Sequence, residues 1–546
     1  VTDTAQTIAG TVPADAVGPA DRSDGVTVAG GRRPGWASLP LPVILAVQAA
    51  LSGRLIFRNT AFLDEADYLS AGRWMLHTWA HGGIDIRFGT FYSGAPCVYP
   101  VIGAVLDEAG GLHAARAFSL VCMLVATVAC HLTAHELWGR PAGWLAAAAF
   151  ASTEGTQFLG AFATYDAMAL MLMALATWTA VRSAHRPRPN RWMFLAVAVL
   201  ALANFTAYSS ALFDPVVIAV AGLVMVAPLG PRRALATAAA MLAGLASMLA
   251  AIAAVVPCDY LTGLLVSTVD RIPATTPPLV VMEDAWFWVG GIAGLAVTAT
   301  LVAALSARRD RSGRHRVGLL AVLTLAVALA PVDQARIHTL SSLAKHVTFG
   351  AWFAAVAVGF VWPGVERTGA TVARRSRPSG RRTVALVVAA LAVVVPLGVD
   401  GAAQADGLDH AWPDLTALFT AMRPLVHADG DVLMDNPDIG RYYLGTLLSA
   451  PYWHTTTALE YRPPGGRRTL SGGPAFVAAV SDGAFSVIAL DYGHGVADDR
   501  IVTAVLRRTH LYAFVGTYLS HDTYGRSRYL LWRIRSGRPD GIRPVA

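Results

Sequence analysis

Charge is what this sequence lacks most. Of 546 residues, 14% are Asp, Glu, Lys or Arg and 55% are hydrophobic, whereas a soluble domain carries about 25% charged residues. The deficit excludes an ordinary soluble fold and defines a polytopic membrane protein. Cysteine is also scarce. Cys97, Cys122, Cys130 and Cys258 have no metal or redox spacing, so no disulfide framework is implied. Cys122 and Cys130 fall within an apolar helix and read as small packing residues. The first 35 residues lack a basic stretch followed by an apolar core, so they do not form a cleavable signal peptide. They are poor in large apolar residues and read as a disordered tail.

What the chain has in quantity is long apolar runs. About 20 residues cross roughly 30 Å of hydrocarbon. Runs of that kind lie near 38–57, 113–135, 141–160, 164–182, 192–208, 212–229, 234–256, 285–306, 317–331, 346–362 and 383–399, which predicts about eleven transmembrane helices. Arginine orients them. The segments "LWGRPAG", "RSAHRPRPNR", "PLGPRR", "ARRDRSGRHR" and "ERTGATVARRSRPSGRR" hold about eighteen arginines, while the alternate loops near 209–214 and 257–284 hold one, Arg271. A cytoplasmic N-terminus satisfies the positive-inside rule. The net charge of +7 is then a topology signal and not a nucleic-acid footprint. The predicted organisation is a cytoplasmic tail (1–35), a transmembrane domain (36–399) with a first outer loop at 58–112, and an extracytoplasmic domain (400–546), all in a multi-pass plasma-membrane protein. In the last domain, strand-length runs "DVLMD", "FSVIALD", "YAFVGTYL" and "RYLLWRI" alternate with helix-like stretches near 438–449 and 497–508. That alternation predicts a small α/β fold. No glycine-rich phosphate loop follows any of these strands, so nucleotide binding there is unsupported.

Residues 58–74, "RNTAFLDEADYLSAGRW", place Asp64, Glu65 and Asp67 just after the first apolar run. Acids at a membrane edge are costly and mark candidate sites. The plain alternative is an Asp64 N-cap on a helix over 66–80, with Asp67 completing a partial capping box. Capping and chemistry are compatible, and Asp64, Asp67 and Tyr68 can share one helix face. On the same side, Tyr165 and Asp166 open the run "TYDAMALMLMALATW". Also on that side, "PVDQARIHTLSSLAKHVTFGAWFA" carries Arg336, His338, Lys345 and His346 where basic residues are otherwise rare. Snorkelling anchors are the plain alternative there, yet a helix N-terminus beside Lys345 and His346 suits an anion such as phosphate. Arg58 and Arg73 of the first loop are further phosphate candidates.

"DEADY" after the first span, "TFYSGAPCVYPVIGAV" at the end of a long first loop, and "TYDAMA" opening a later span resemble the GT-C glycosyltransferase superfamily. The likeness covers about residues 38–363. It is narrowest to the family 39, protein-mannosyltransferase-like and aminoarabinose-transferase-like enzymes, including a set of actinobacterial membrane proteins whose cell-wall or other acceptors are unassigned. The resemblance implies an inverting transferase that takes a sugar from a polyprenyl-phosphate donor and passes it to an extracytoplasmic glycan, lipid or protein. It implies Asp64 as general base, with Glu65 and Asp166 as its catalytic companions. Lys345, His346, Arg336, Arg58 and Arg73 would meet the donor phosphate, and Asp67, Tyr68, Tyr165 and His338 would line the substrate site. Related enzymes hold a divalent metal near the second Asp in some cases and need none in others, so Asp166 is a candidate metal ligand. A secondary transporter is the competing class, but such folds show internal repeats and midplane acids, and neither is evident here.

Overall fold

Glycine and proline set the boundaries of the membrane helices. The computed structural model describes residues 40–82, 92, 94, 95, 97–184, 189–256, 258–307, 311–362, 380–445, 452–493, 496–522 and 525–535; the expected disordered tail lies outside them. The first helices are α1 (Pro40–Ile56), α2 (Leu63–His81), α3 (Tyr99–Trp138), α4 (Arg140–Ala151), α5 (Glu154–Leu159), α6 (Tyr165–Ser183) and α7 (Pro189–Thr206). A 3₁₀ turn (Tyr208–Phe213) leads into α8 (Asp214–Leu229), followed by α9 (Pro231–Val255), α10 (Cys258–Ser267) and α11 (Pro278–Ala307). Then come α12 (Arg311–Leu325), α13 (Leu329–Arg336), α14 (Leu343–Val358) and α15 (Gly380–Asp409).

Gly139 and Gly230, at φ +98° and +77°, end α3 and α8, and the next helices start at once with proline in the first turn. Glycine accepts the left-handed backbone, and proline lacks an N–H that a helix start leaves unbonded anyway. Two of the predicted arginine-bearing loops are therefore tight helix–helix turns. The predicted span at 141–160 is split, because Thr153 is extended; its Oγ1 instead donates to the Phe150 carbonyl at 2.8 Å. Among the described residues, six segments are long and apolar enough to cross a membrane: Tyr99–Trp138, Tyr208–Leu229, Pro231–Val255, Pro278–Ala307, Arg314–Arg336 and Val387–Asp409. Pro40–Ile56, Arg191–Thr206 and Leu343–Val358 are apolar but shorter. The last helix runs past its predicted end at 399 to Asp409.

After α16 (Thr416–Met422) the chain becomes mixed α/β. Its elements are β1 (Asp431–Met434), α17 (Pro437–Leu444), β2 (Trp453–Thr455), a small β3–β4 ladder (Glu460–Tyr461, Leu470–Ser471) and α18 (Gly473–Ser481). They continue with β5 (Phe485–Leu490), α19 (Val496–Thr509), β6 (Tyr512–Asp522) and β7 (Gly525–Ile534). The sheet order is β2-β1-β5-β7-β6, with β2, β1 and β5 parallel and β5, β7 and β6 antiparallel. Every residue of β1 is buried, as expected of a parallel strand covered on both faces.

α2 joins the two parts. Its Ala66 and Leu69 share a core with Leu418, Phe419, Met434 and Tyr442. On another side it lies close against α3, where a Cβ at Gly72 would stand 1.9 Å from the Pro100 carbonyl oxygen. Only glycine permits that approach.

Candidate active site

The start of α2 divides its three acids among three tasks. Phe62 is the extended N-cap, and Glu65 accepts its backbone N–H at 3.0 Å. The capping contact thus falls to Glu65, one turn into the helix, and not to Asp64 or Asp67 as the sequence suggests. Glu65 is wholly buried. It accepts Arg116 Nε at 2.8 Å and Nη2 at 2.7 Å, and the backbone N–H of Ala163 at 2.8 Å. Arg116 also donates to the carbonyls of Ile56, Arg58 and Thr60. This pair fixes the α1–α2 connection and the turn before α6. Glu65, expected beside Asp64 in the chemistry, is committed to the scaffold.

Asp64 is left free of capping and meets Lys345, whose Nζ donates to its Oδ2 at 2.5 Å. The same Nζ lies 3.6 Å from Asp166 Oδ2. Asp166 is the second residue of α6 and only 1% exposed. Its Oδ2 accepts the Thr164 hydroxyl at 3.3 Å, and its Oδ1 has no hydrogen-bond partner among the described residues. Lys345 sits in the first turn of α14, where the left-handed Ser342 (φ +64°) starts the helix. Groups from positions 64, 166 and 345 therefore converge on one point.

They border a cavity of about 310 Å³ that Tyr68, Tyr165, Tyr208, Arg271 and His346 also line. The Tyr68 and Tyr165 rings lie 4.5 Å apart and form one wall. His346 Nδ1 is 2.8 Å from Gln334 Nε2, which orients its ring.

The remaining expected residues are not in that lining. Arg336 is exposed and bonds Asp333 at 2.8 Å, its i−3 neighbour on α13. His338 Nδ1 lies 3.0 Å from the Thr276 carbonyl. Arg58 pairs with Asp406 at 2.7 Å. Arg73 pairs with Asp107, donates to the Tyr442 carbonyl at 3.1 Å and stacks 4.7 Å over the Tyr442 ring. Asp67 faces Asp438 and Arg441 on α17, and its carboxyl is held above the usual range by burial, then by the charges of Asp438 and Asp64. Each of these residues was expected at the site from its position in the chain, and each has found a partner elsewhere.

Sequence reasoning missed Tyr208 and Arg271 as lining residues. Arg271 carried a signal, being the one arginine in the predicted outside loops near 209–214 and 257–284. A stronger signal is compositional: Lys345 is the only lysine in the chain, every other Lys or Arg being arginine.

A cation shared by Asp64 and Asp166 would need oxygen ligands at about 2.0–2.6 Å. The Lys345 ammonium stands between those carboxylates, so the residues as placed do not fit a bridging metal ion. A second acidic group lies in the C-terminal part, where Asp435 follows β1, Asp491 follows β5, and Asp499 opens α19. One carboxylate oxygen from each lies within 4.8 Å of the others. Burial, then the charge of Asp491, pushes Asp435 up to about 8 and Asp499 up to about 6.

Residues 103–257 match the family model described as Dolichyl-phosphate-mannose-protein mannosyltransferase. The fold is similar to that of ArnT from Cupriavidus metallidurans bound to undecaprenyl phosphate. That similarity has a TM-score of 0.56 at 14% identity and covers 93% of this chain and 99% of that one. It is also similar to the archaeal oligosaccharyltransferase AglB from Archaeoglobus fulgidus in complex with an inhibitory peptide and a dolichol-phosphate. There the TM-score is 0.53 at 12% identity, with 90% and 74% of the two chains covered. No curated protein matches the sequence. The chain therefore shares the fold of these membrane proteins. The family match covers residues 103–257, and the likeness to the solved structures is one of fold.

Proposed function

We propose that the chain moves a sugar from its polyprenyl-phosphate carrier to a hydroxyl-bearing extracytoplasmic acceptor, with inversion at the anomeric carbon. The observation that supports this reading best is the convergence of Asp64, Asp166 and Lys345 on one cavity also lined by Arg271. Asp64 acts as general base. As the acceptor oxygen forms its bond to the anomeric carbon, its proton passes to the Asp64 carboxylate. The bond from that carbon to the phosphate oxygen breaks, and its electron pair leaves on the polyprenyl phosphate. That leaving group needs charge stabilisation more than protonation, and Lys345 and Arg271 supply it. Asp166 holds Lys345 and offers its unpartnered Oδ1 to a hydroxyl of the sugar.

In this reading the N-terminus is cytoplasmic, about eleven helices cross the membrane, and the cavity opens on the face poor in arginine. The α/β domain lies on that same face, where acceptors would arrive.

The test is release of carrier phosphate by the purified protein in lipid, supplied with polyprenyl-phosphate hexoses and pentoses and with membrane extracts as acceptor. Sugar-dependent release that is lost in Asp64→Asn supports the reading. Substrate movement across proteoliposomes without sugar transfer would replace it with a transporter.

A further inference from the structure

Two carboxylates brought together from distant elements repel each other unless a cation lies between them. A divalent metal is one such cation, and a protonated amine is another. The position between Asp64 and Asp166 is filled by Lys345 Nζ, at 2.5 and 3.6 Å. The Lys345 side chain is 9% exposed, so this is not a surface contact that salt would screen.

The chemistry of the residue itself points the same way. Every other Lys or Arg position of this chain is arginine. Its guanidinium is a planar fork suited to bidentate contacts, whereas the lysine ammonium is a compact point charge with three rotatable donors. A gap between two carboxylate oxygens that also opens onto a cavity suits the second shape. One donor is bonded to Asp64, Asp166 lies 3.6 Å away, and the remaining N–H groups can meet an anion within the cavity. Lys345 also lies in the first turn of α14, where the helix dipole favours that anion.

We infer that the Lys345 ammonium takes the place a divalent cation would have between Asp64 and Asp166, so that this transferase works without a metal ion at its site. This rests on the transferase reading above and deepens it. At rest the ammonium pairs with Asp64 and lies beside Asp166, offsetting one of the two negative charges. When the carrier phosphate enters, Nζ turns toward it and away from Asp64 while keeping its ion pair with Asp166. Asp64 then loses its ion pair and becomes available as the base, so phosphate binding and base activation are one event. No electrons are exchanged, and the lysine proton stays on nitrogen throughout. The proton that moves is that of the acceptor hydroxyl, which goes to Asp64.

Two measurements on the full-length protein in lipid test it. The first needs no substrate: binding of Mn²⁺ followed by electron paramagnetic resonance. Wild type should show no Mn²⁺ whose binding depends on Asp166, while Lys345→Ala should gain one such ion and lose it again in Lys345→Ala/Asp166→Asn. Mn²⁺ that persists in the double variant belongs to Asp435, Asp491 and Asp499. The second is turnover. Wild type dialysed against chelator should keep its rate within about twofold, and Lys345→Ala should fall at least about 100-fold and recover at least about 10-fold with added ethylammonium. Asp166-dependent Mn²⁺ in wild type, or chelator-sensitive turnover restored by a metal, would overturn the inference. So would a Lys345→Ala protein that folds but gains no ion. A protein with no transferase activity at all would remove the transferase reading, and the Mn²⁺ result would still decide what fills the gap.

Discussion

Glu65 and Arg116 are joined by two hydrogen bonds of 2.8 and 2.7 Å, with both side chains withdrawn from solvent. Asp64, the neighbouring residue, is aimed into the cavity. Adjacent positions on one helix thus carry an acid committed to the scaffold and one that lines the cavity. Removing one partner of a buried pair leaves an uncompensated charge and costs about 3–5 kcal/mol. Glu65→Ala should therefore lower the melting temperature sharply and reduce the yield of folded protein. If Glu65→Ala melts like wild type and loses only turnover, the base is Glu65.

Asp64→Asn should behave in the opposite way. The side chain is part-exposed at 28% and caps nothing, so folding should be near normal while turnover drops by about 10² to 10⁴. Thermal unfolding and single-turnover kinetics on the same preparation separate the two effects. An Asp64→Asn enzyme with near-normal transfer would exclude this residue as the base.

For the donor phosphate, Lys345→Ala and Arg271→Ala should each raise the apparent KM for the polyprenyl-phosphate sugar, Arg271→Ala by about 10-fold for one lost charge-assisted contact. Arg336→Ala should leave it unchanged, because Arg336 is turned away and bonds Asp333. Lys345→Arg should keep part of the activity through its charge and lose part through its shape. Donor titration at saturating acceptor reads all four. A KM response in Arg336→Ala and none in Arg271→Ala would move the phosphate toward α13.

A chain with one lysine can be labelled at one side chain. Reductive methylation followed by peptide mass spectrometry should modify Lys345 slowly, since its side chain is 9% exposed and held by two carboxylates. Added polyprenyl phosphate should slow the reaction further. Labelling as fast as that of the N-terminal amine, with or without carrier phosphate, would mean the amine is not held in the cavity.

The C-terminal acids predict a pH effect. Asp435 and Asp499 titrate near 8 and 6 in the folded state, both above the unfolded carboxylate value near 4. The native state therefore binds more protons, and the stability these groups contribute is present in full below about pH 4 and is lost as pH rises through 6 to 8. In chelator, unfolding of this domain followed by hydrogen exchange should become easier across that window, and Asp435→Asn should flatten the dependence. A domain that grows more stable from pH 5 to 8 would contradict the crowding of these carboxylates.

Membrane class, most helices and the β1, β5, β6 and β7 strands were legible in the sequence, because hydrophobic period and length are local properties. So was the grouping of Asp64, Asp166 and Lys345, because arginine bias assigned all three to one membrane side. The fate of Arg58, Arg73 and His338 was not legible. Arg336 had a local partner in Asp333 three residues earlier, whereas only the three-dimensional path of Asp406, Asp107 and the Thr276 carbonyl shows where the others are bonded. Arg116 escaped notice for a related reason: its partner Glu65 is 51 residues away, and a lone arginine in an apolar run carries no local sign of it. The gathering of Asp435, Asp491 and Asp499 depends on β1 and β5 lying side by side, which strand-length patterns do not specify.

α2 presents Asp64 and Tyr68 to the cavity and Asp67 and Arg73 to the α/β part. The segment leading into it is held from the same quarter: Ala61 donates to the Tyr443 hydroxyl at 2.7 Å, and Trp412 Nε1 to the Thr60 carbonyl at 2.8 Å. The unit that can be exchanged between related enzymes is therefore not the C-terminal domain as its sequence boundary would suggest. A chimera that swaps the chain from about residue 410 onward would put a foreign surface against α2 and shift Asp64, the proposed base. Residues 58–73 have to travel with that part of the chain to keep their contacts, although more than 300 positions separate them.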